Sequence, residues 1–403
     1  MKLNTQPTSA AVAREDRFSR LRLIGWWDQA KLQKARVLVI GCGALGNELL
    51  KNLALLGVRQ IVIADLDRVD VTNLSRSILF RPKDVGHPKA TVAARSLLQL
   101  LPEIEVRPLV VDVMRQLGLG VFTWADLIFA GLDNREARLW VNRSAQKFGK
   151  PWIDGAIEGI NGVVRVFLPG PDPCYECTLG KVDWEQMQRR LSCNLLSREE
   201  QESGKVPTTP TIASIIAGFQ VQEGVKLLHG LPVLASKGFV FEGLNHTSYV
   251  VQYTGNPECQ SHYRLSEIRE LPNSSQELSL RELRAIACRD LGADAIVEFS
   301  RDLIYELVCP ECRDRELMLA PVGSVSYGRG FCPRDNTMRA VETIHSYSGT
   351  ECFGDHPLSE LGLPLYDVFT ARSGDREVGY LLAGDAAEVL GEKLCSSSIG
   401  EPG

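Results

Sequence analysis

The chain has 403 residues, of which 24% are charged, and its formal net charge is −5. Its length predicts about two to three domains, and its negative charge, without a long run of lysine and arginine, argues against a protein that binds nucleic acid. No apolar run is long enough to cross a membrane and no apolar segment follows a basic start, so we expect a cytoplasmic protein with neither a membrane span nor a signal peptide.

An apolar strand that runs into a glycine-rich turn is the first strong signal along the chain. Residues 36–40 predict the strand, and Gly41, Gly43 and Gly46 follow with the Gly-x-Gly-x-x-Gly spacing before an amphipathic helix. Such glycines permit a tight turn that places phosphate oxygens on the N–H groups at the helix start. The pattern predicts a nucleotide-binding α/β fold, although dehydrogenases share it. We expect Cys42, within the turn, to be a small buried residue and not a nucleophile.

A second predicted strand, over residues 60–64, leads into a series of polar residues. Asp65 ends the strand at the distance where an acidic residue commonly holds a ribose hydroxyl. The polar residues that follow are Asp67, Asn73, Arg76, Lys89 and Asp133. Hydride transfer has no use for them, whereas adenylation of a carboxylate needs cations around the leaving pyrophosphate and a carboxylate that holds Mg²⁺. Singly, each could be a strand end, a surface charge or a helix cap; their joint order and spacing favour the functional interpretation.

These motifs resemble the ubiquitin-activating enzyme superfamily of ThiF-type adenylyltransferases, which includes those of the molybdopterin and thiamine sulfur-carrier pathways. The resemblance covers roughly residues 15–263 and implies a Rossmann-like, doubly wound adenylation domain that uses ATP and Mg²⁺. It assigns the ATP site to Gly41, Gly43, Gly46, Asp65, Asp67, Asn73, Arg76, Lys89 and Asp133. In this assignment Asp65 holds the ribose, Asn73, Arg76 and Lys89 contact the phosphates, and Asp133 coordinates Mg²⁺. Arg20 resembles an arginine that reaches the ATP site of the partner subunit, which implies a homodimer.

The eleven cysteines favour metal binding and thiol chemistry over a disulfide scaffold in a chain of this kind. Cys174 and Cys177 form a C-x-x-C hook, and Cys259 and His262 form a C-x-x-H hook far downstream. Two such hooks can close a tetrahedral zinc site. Superfamily members that resemble this chain use two C-x-x-C pairs, so His262 is a departure. The alternative is an exposed His262, with zinc absent or held by another ligand.

The segment between the hooks, residues 181–211, predicts a charged helix and then a polar crossover loop before an apolar helix. Cys193 lies in this loop beside Arg189 and Arg190, whose charge lowers the pKa of a thiol. In activating enzymes that resemble this chain, such a loop carries the cysteine that accepts the activated carboxylate as a thioester. We therefore expect Cys193 to be the nucleophile. If it is an unreactive loop thiol, the enzyme stops at the acyl-adenylate.

The remaining sequence predicts a second, small α/β domain. A capping box at Ser279 begins a helix that ends at Leu291, two strand-like pieces follow at 295–299 and 303–308, and a hairpin closes the domain. The predicted segments are an adenylation domain over 1–264, a linker over 265–278, the small domain over 279–393 and a flexible tail over 394–403.

A zinc ribbon is predicted within the small domain, over residues 309–335. Cys309 and Cys312 form a Cys-Pro-x-Cys knuckle, and Cys332 begins a second knuckle that lacks its last cysteine. The candidates for the fourth ligand are Asp335, Cys352 and His356. A ribbon without a metal is the alternative.

The sequence and the resemblance together predict MgATP-dependent adenylation of a small ubiquitin-like or sulfur-carrier protein at its C-terminal glycine. A thioester on Cys193 and transfer to a conjugating enzyme, recruited by the appended domain, are expected to follow. The second candidate is a sulfur-carrier adenylyltransferase that stops at the acyl-adenylate. An NAD-dependent oxidoreductase would bind nicotinamide and give no role to Asn73, Arg76, Lys89 or Asp133, and a non-catalytic scaffold would leave the ATP-site residues unused.

Overall fold

The computed structural model describes residues 15–192 and 207–396, and its first sheet has eight strands. They are β1 (Arg36–Ile40), β2 (Gln60–Ala64), β3 (Glu105–Leu109), β4 (Leu127–Ala130), β5 (Trp152–Glu158), β6 (Asn161–Phe167), β7 (Lys237–Glu242) and β8 (Thr247–Gln252). The strand order is β3-β2-β1-β4-β5-β6-β7-β8. Strands β1 to β5 are parallel, whereas β6, β7 and β8 are added antiparallel. The order reverses between β1 and β4, and the carboxyl ends of strands at such a reversal form the usual ligand crevice.

Helices cover both faces of the parallel strands, which explains why β1, β2 and β4 are continuous apolar runs. The helices along this part of the chain are α1 (Gln29–Lys34), α2 (Ala44–Leu56), α3 (Lys89–Leu100), α4 (Gly120–Trp124), α5 (Arg135–Lys147), α6 (Lys181–Ser192) and α7 (Pro210–Leu228). Helices α2, α3 and α7 share one core with the sheet, and α4 and α5 share the core of the opposite face. Throughout the described ranges, every helix is too short or too polar to span a bilayer.

The second sheet has six strands and is built from the C-terminal part of the chain. Its strands are β9 (Ile268–Leu271), β10 (Ile296–Val308), β11 (Arg315–Pro321), β12 (Ala340–Tyr347), β13 (Val368–Ser373) and β14 (Arg376–Leu382). The order is β11-β10-β13-β14-β9, and β12 also pairs with β10. Its helices are α8 (Leu280–Leu291), α9 (Ala386–Leu390) and α10 (Glu392–Ser396). The capping box predicted at Ser279 is present, with its Oγ accepting from the N–H of Glu282, and β13 and β14 form the expected hairpin.

The observed structure differs from the predicted segments at three places. The stretch 265–278, predicted to be a linker, contains β9, which pairs in parallel with β14. The hydrogen-bond partners that β14 provides make this stretch a strand, although its own sequence does not show a strand pattern. The two strand-like pieces after α8 are one strand, β10, whose pairing with β12 shifts register between Glu298 and Leu303, where the gap was expected. The predicted tail begins inside α10, where Leu394 is 2% exposed and completes a core. Residues 397–403 lie outside the described ranges.

The two sheets share an apolar core and are joined by buried polar contacts. Tyr366 and Leu381 from the second unit belong to the same cluster as Leu38 of β1. The Asp367 carboxylate accepts from the backbone N–H of Leu119, with an N···O distance of 2.8 Å. The second unit, which consists of β9–β14 and α8–α10, is therefore packed onto the α4 side of the nucleotide fold through a buried interface.

Candidate functional site

The glycine turn predicted between β1 and α2 is present, and two of its glycines are required by their surroundings. Gly41 has a φ of +88°, and a Cβ atom there would lie 2.6 Å from the carbonyl oxygen of Gly131. A Cβ on Gly46 would lie 2.0 Å from the carbonyl oxygen of Gly41. Gly43 is the N-cap of α2 and has nothing within 4 Å of its Cβ position. The turn thus combines closely packed glycines with an open position at a helix N-terminus, where an anion is favoured.

Gly46 and Gly43 form a matched pair for testing this geometry. Gly46→Ala should destabilise the fold by about 1–3 kcal/mol, because the overlap with a backbone oxygen outweighs the roughly 1 kcal/mol that alanine gains in a helix. Gly43→Ala should change stability by no more than about 0.5 kcal/mol, yet weaken MgATP binding, because its methyl group occupies the space proposed for the phosphates. Urea unfolding and calorimetric titration measure the two effects. Equal MgATP affinity of Gly43→Ala and wild type would contradict the placement of the phosphates.

A buried asparagine that the sequence analysis did not single out holds the turn in shape. Asn47 is fully buried, and its Nδ2 donates to the carbonyl oxygens of Cys42 and Gly43 at 2.8 and 3.0 Å. Its Oδ1 accepts from the N–H of Leu79 at 2.9 Å. Its position directly after Gly46, the last glycine of the motif, was the available signal. Cys42 is buried as predicted, and burial raises the pKa of its thiol, so it is not an activated nucleophile.

Asp65, Asp67 and Lys89 converge beside the glycine turn. The Asp65 carboxylate accepts from the backbone N–H groups of Cys42 and Asp67, at 2.5 and 2.7 Å. The Lys89 ammonium pairs with Asp67 at 2.7 Å. Burial raises the pKa of Asp65, against the opposing charge of Lys89. Burial alone would lower the pKa of Lys89, but the carboxylates of Asp65 and Asp67 outweigh it and raise that pKa, so Lys89 is a protonated cation at neutral pH.

Asn73 and Arg76 lie on the segment that follows β2 and are held by local contacts. Residues 71–75 form a 3₁₀ turn in which Asn73 Oδ1 accepts from the N–H of Asp70 at 2.9 Å. The Arg76 guanidinium donates to the carbonyl oxygen of Thr72 at 2.7 Å. The structure thus gives both residues a role in shaping their own turn.

Asp133 lies on the loop after β4, two residues beyond the glycine that meets Gly41. The sequence left open whether Asp133 caps α5. The structure assigns the cap to Asn134, whose Oδ1 accepts from the N–H of Ala137 at 2.7 Å. The carboxylate of Asp133 is exposed and available to a cation at the carboxyl ends of the parallel strands.

A buried charge cluster lies behind the Asp133 loop and was missed in the sequence. Arg138 and Arg165 each donate to the fully buried carboxylate of Asp154, both at 2.9 Å. Burial would raise the pKa of Asp154, but the two guanidinium groups outweigh it and lower that pKa. Arg138 also donates to the carbonyl oxygen of Leu132, and the Arg165 guanidinium lies 5.2 Å from the ring centroid of Tyr175. The cluster therefore connects the Asp133 loop to the first cysteine hook.

The predicted first metal site comes together across more than 80 residues of sequence. Cys174 Sγ lies 3.8 Å from Cys177 Sγ and 3.6 Å from Cys259 Sγ, and Cys177 Sγ lies 3.5 Å from His262 Nε2. Zinc bound tetrahedrally at about 2.3 Å from each sulfur separates its sulfur ligands by roughly 3.8 Å. His262 faces the cysteines, so its ring fits the fourth position. The Asn142 amide donates to Cys174 Sγ at 3.4 Å, as outer-shell donors of metal sites do.

The predicted nucleophile, Cys193, lies outside the described residues, as do the side chains of Arg189 and Arg190. The two segments that flank this stretch contact the nucleotide fold. Asp183 of α6 pairs with Arg135, two residues after Asp133, at 3.1 Å. On the far side, the carbonyl oxygen of Pro207 accepts from the N–H of Gly159 at 2.7 Å.

Known proteins match this chain in its first two thirds. The ThiF family model matches residues 16–261. The NEDD8-activating enzyme E1 catalytic subunit of Arabidopsis thaliana is 42% identical over 157 residues, which cover 36% of this chain and 34% of the relative. The sulfur carrier protein adenylyltransferase of Thermus thermophilus is 32% identical over 253 residues, covering 60% and 89%. Thus the chain spans about a third of the length of the first of these relatives.

The fold also matches a solved structure. MccB of E. coli, determined with ATP, superimposes with a TM-score of 0.51 at 23% identity, covering 62% of this chain and 75% of MccB. At this identity the match supports the architecture of the eight-stranded unit.

Proposed function

The chain belongs to the ThiF family, and from this premise we propose that it uses MgATP to adenylate the C-terminal carboxylate of a small ubiquitin-like or sulfur-carrier protein. One observation carries the proposal. The glycine turn with Asp65, the ion pair of Asp67 and Lys89, and the Asp133 loop converge at the carboxyl ends of β1, β2 and β4. Relatives named NEDD8-activating enzyme and sulfur carrier protein adenylyltransferase support the substrate class.

In the proposed reaction a carboxylate oxygen of the carrier protein forms a bond to the α-phosphorus of ATP. The bond from that phosphorus to the bridging oxygen breaks, and pyrophosphate leaves with the electron pair. Lys89, 9% exposed and protonated, offers positive charge where the leaving group gains negative charge. Arg76 would add a second cation after leaving its contact with Thr72. Mg²⁺, which Asp133 would hold, supplies charge neutralisation of the phosphates.

Arg20 is proposed to act on the partner subunit's ATP site, and the helix geometry supports this. Helices α2 and α3 begin at the nucleotide site and end at the N-terminal segment, where Phe18 packs on Gly57 and Arg17 donates to the carbonyl oxygen of Leu100. These helices have 13 and 12 residues and are about 18–20 Å long. Arg20 is two residues from Phe18, at most about 7 Å along the chain. It therefore lies near the ends of α2 and α3 that are opposite the nucleotide site, which favours an action on the partner subunit's site.

Mixing two inactive variants tests the shared site. Arg20→Ala and Lys89→Ala should each be inactive as homodimers, whereas their heterodimer should hold one intact site, made from Lys89 of one subunit and Arg20 of the other. Adenylation activity should therefore reappear on mixing. Differently tagged subunits and native mass spectrometry establish that heterodimers form. Heterodimers without activity would contradict a contribution of Arg20 in trans.

We propose that the acyl group then moves to Cys193 as a thioester and is passed to a conjugating enzyme. Relatives named as NEDD8- and SUMO-activating enzymes support this continuation. The alternative, a sulfur-carrier adenylyltransferase that stops at the acyl-adenylate, is favoured by the Thermus thermophilus relative, 89% of which is covered. In either case zinc on Cys174, Cys177, Cys259 and His262 would be structural, because four protein ligands leave no open position.

A further inference from the structure

The two turns of the predicted zinc ribbon share one backbone geometry. In the first, Cys309 accepts from the N–H of Arg313 at 3.0 Å and donates to the carbonyl oxygen of Asp314 at 2.9 Å. In the second, Cys332 accepts from the N–H of Asn336 at 2.9 Å and donates to the carbonyl oxygen of Thr337 at 2.8 Å.

The correspondence continues at the residue four positions after the first cysteine of each turn. Arg313 and Asn336 are both left-handed, with φ values of +58° and +59°. This conformation is uncommon for residues other than glycine, so its occurrence at the same place in both turns indicates a shared structural requirement. In this alignment Asp335 occupies the position that Cys312 occupies in the first turn.

The side chains of the two turns converge on one point. The carboxylate of Asp335 lies 3.4 Å from Cys309 Sγ, and Cys312 Sγ lies 3.5 Å from Cys332 Sγ. One ligand atom from each of the four residues lies within 4.8 Å of the others. These separations fit a tetrahedral ion with sulfur ligands at about 2.3 Å and an oxygen ligand at about 2.0–2.2 Å.

The other two candidates for the fourth ligand have different partners. Cys352 Sγ lies 3.9 Å from the hydroxyl oxygen of Tyr305, and His356 Nδ1 lies 2.9 Å from a carboxylate oxygen of Glu360. Within the described ranges, the groups of residues that could hold a metal include neither of them.

The apolar contacts beneath the ribbon are few. Leu319 joins the larger core of the second sheet, and the other buried apolar side chains form a separate cluster of three, Ile304, Leu307 and Val325, with a handful of partly buried neighbours. A core of this size supplies little folding free energy, and small units of this kind are commonly stabilised by a metal.

We propose that Cys309, Cys312, Cys332 and Asp335 form a second zinc site, with three thiolates and one carboxylate, that ties the β10–β11 turn to the segment before β12. The site is separate from the nucleotide crevice, and the proposal does not depend on the proposed adenylation.

Zinc content of the full-length protein tests the site. Wild type should retain two equivalents of zinc per chain after gel filtration, and Asp335→Asn, which keeps the shape and removes the charge, should retain one. Asp335→Cys completes a four-cysteine ribbon and should retain two, with slower zinc release to a chelator than wild type. Cys352→Ser and His356→Ala are matched controls and should retain two.

Cobalt substitution gives an independent measurement. The Asp335→Cys protein should show stronger sulfur-to-cobalt absorption than wild type, because one more thiolate binds the ion. Limited proteolysis should cut Asp335→Asn within residues 309–339 faster than wild type. Two zinc equivalents in Asp335→Asn, or the loss of one in His356→Ala or Cys352→Ser, would overturn the assignment of Asp335. If Asp335→Asn does not fold, one zinc equivalent in folded Asp335→Cys would overturn it equally.

Discussion

Asp133→Ala should strongly slow carrier-dependent ATP–pyrophosphate exchange and leave the fold intact. A carboxylate that holds Mg²⁺ contributes several kcal/mol of charge stabilisation to the transition state, so its removal should slow exchange by roughly a hundredfold to a thousandfold or more. Because Asp133 is exposed and Asn134 caps α5, the melting temperature should change little. The assay requires a small carrier protein that ends in glycine, and candidates can be taken from the genome that encodes this chain.

The control for Asp133 is another exposed carboxylate at a distance from the crevice. Asp375 lies in the exposed turn between β13 and β14 of the second sheet, and Asp375→Ala should exchange at the wild-type rate. Asp133→Asn should need more Mg²⁺ than wild type for half-maximal exchange, because a neutral amide is a weaker ligand. Near-normal exchange by Asp133→Ala at the wild-type Mg²⁺ requirement would remove Asp133 from the mechanism.

Cys193→Ala should retain ATP–pyrophosphate exchange and lose the carrier-linked, thiol-sensitive band on a non-reducing gel. In the step that it blocks, a thiolate sulfur bonds to the acyl carbon, the acyl–phosphate C–O bond breaks, and AMP leaves with the electron pair. Asp183 and Pro207, which flank the segment that contains Cys193, contact Arg135 and Gly159 respectively. Cys193→Ser should trap the carrier as an oxygen ester that resists thiols.

Two cysteines of the second unit serve as control positions for Cys193. Cys288→Ala and Cys352→Ala should keep the adduct at the wild-type level. Persistence of the adduct in Cys193→Ala would assign the acyl group to another cysteine. A wild-type enzyme that exchanges pyrophosphate and forms no adduct would instead support the sulfur-carrier alternative, in which the reaction ends at the acyl-adenylate.

The sequence predicted those features of the candidate site that depend on motifs of a few residues with fixed spacing. Gly41 and Gly46 were recognisable because glycine, which lacks a Cβ atom, tolerates the φ of +88° at Gly41 and the close backbone approach found at both positions. The Cys174, Cys177, Cys259 and His262 cluster was predictable for a similar reason, since two hooks of three-residue spacing each present a pair of potential ligands from one local turn. The motifs themselves are short in sequence, so they can be recognised without knowledge of the fold.

The features that could not be predicted depend on pairings between distant segments. β9 is a strand because β14 provides its hydrogen-bond partners, and Leu394 is buried because the second unit packs onto α4 and α5. The link from Arg138 through Asp154 to Arg165 joins α5, β5 and β6, and no spacing along the chain reveals it. Choosing Asp335 over Cys352 or His356 likewise required the two knuckles to face each other. Ligand type is a local property of the residue, whereas convergence of ligands is a property of the folded chain.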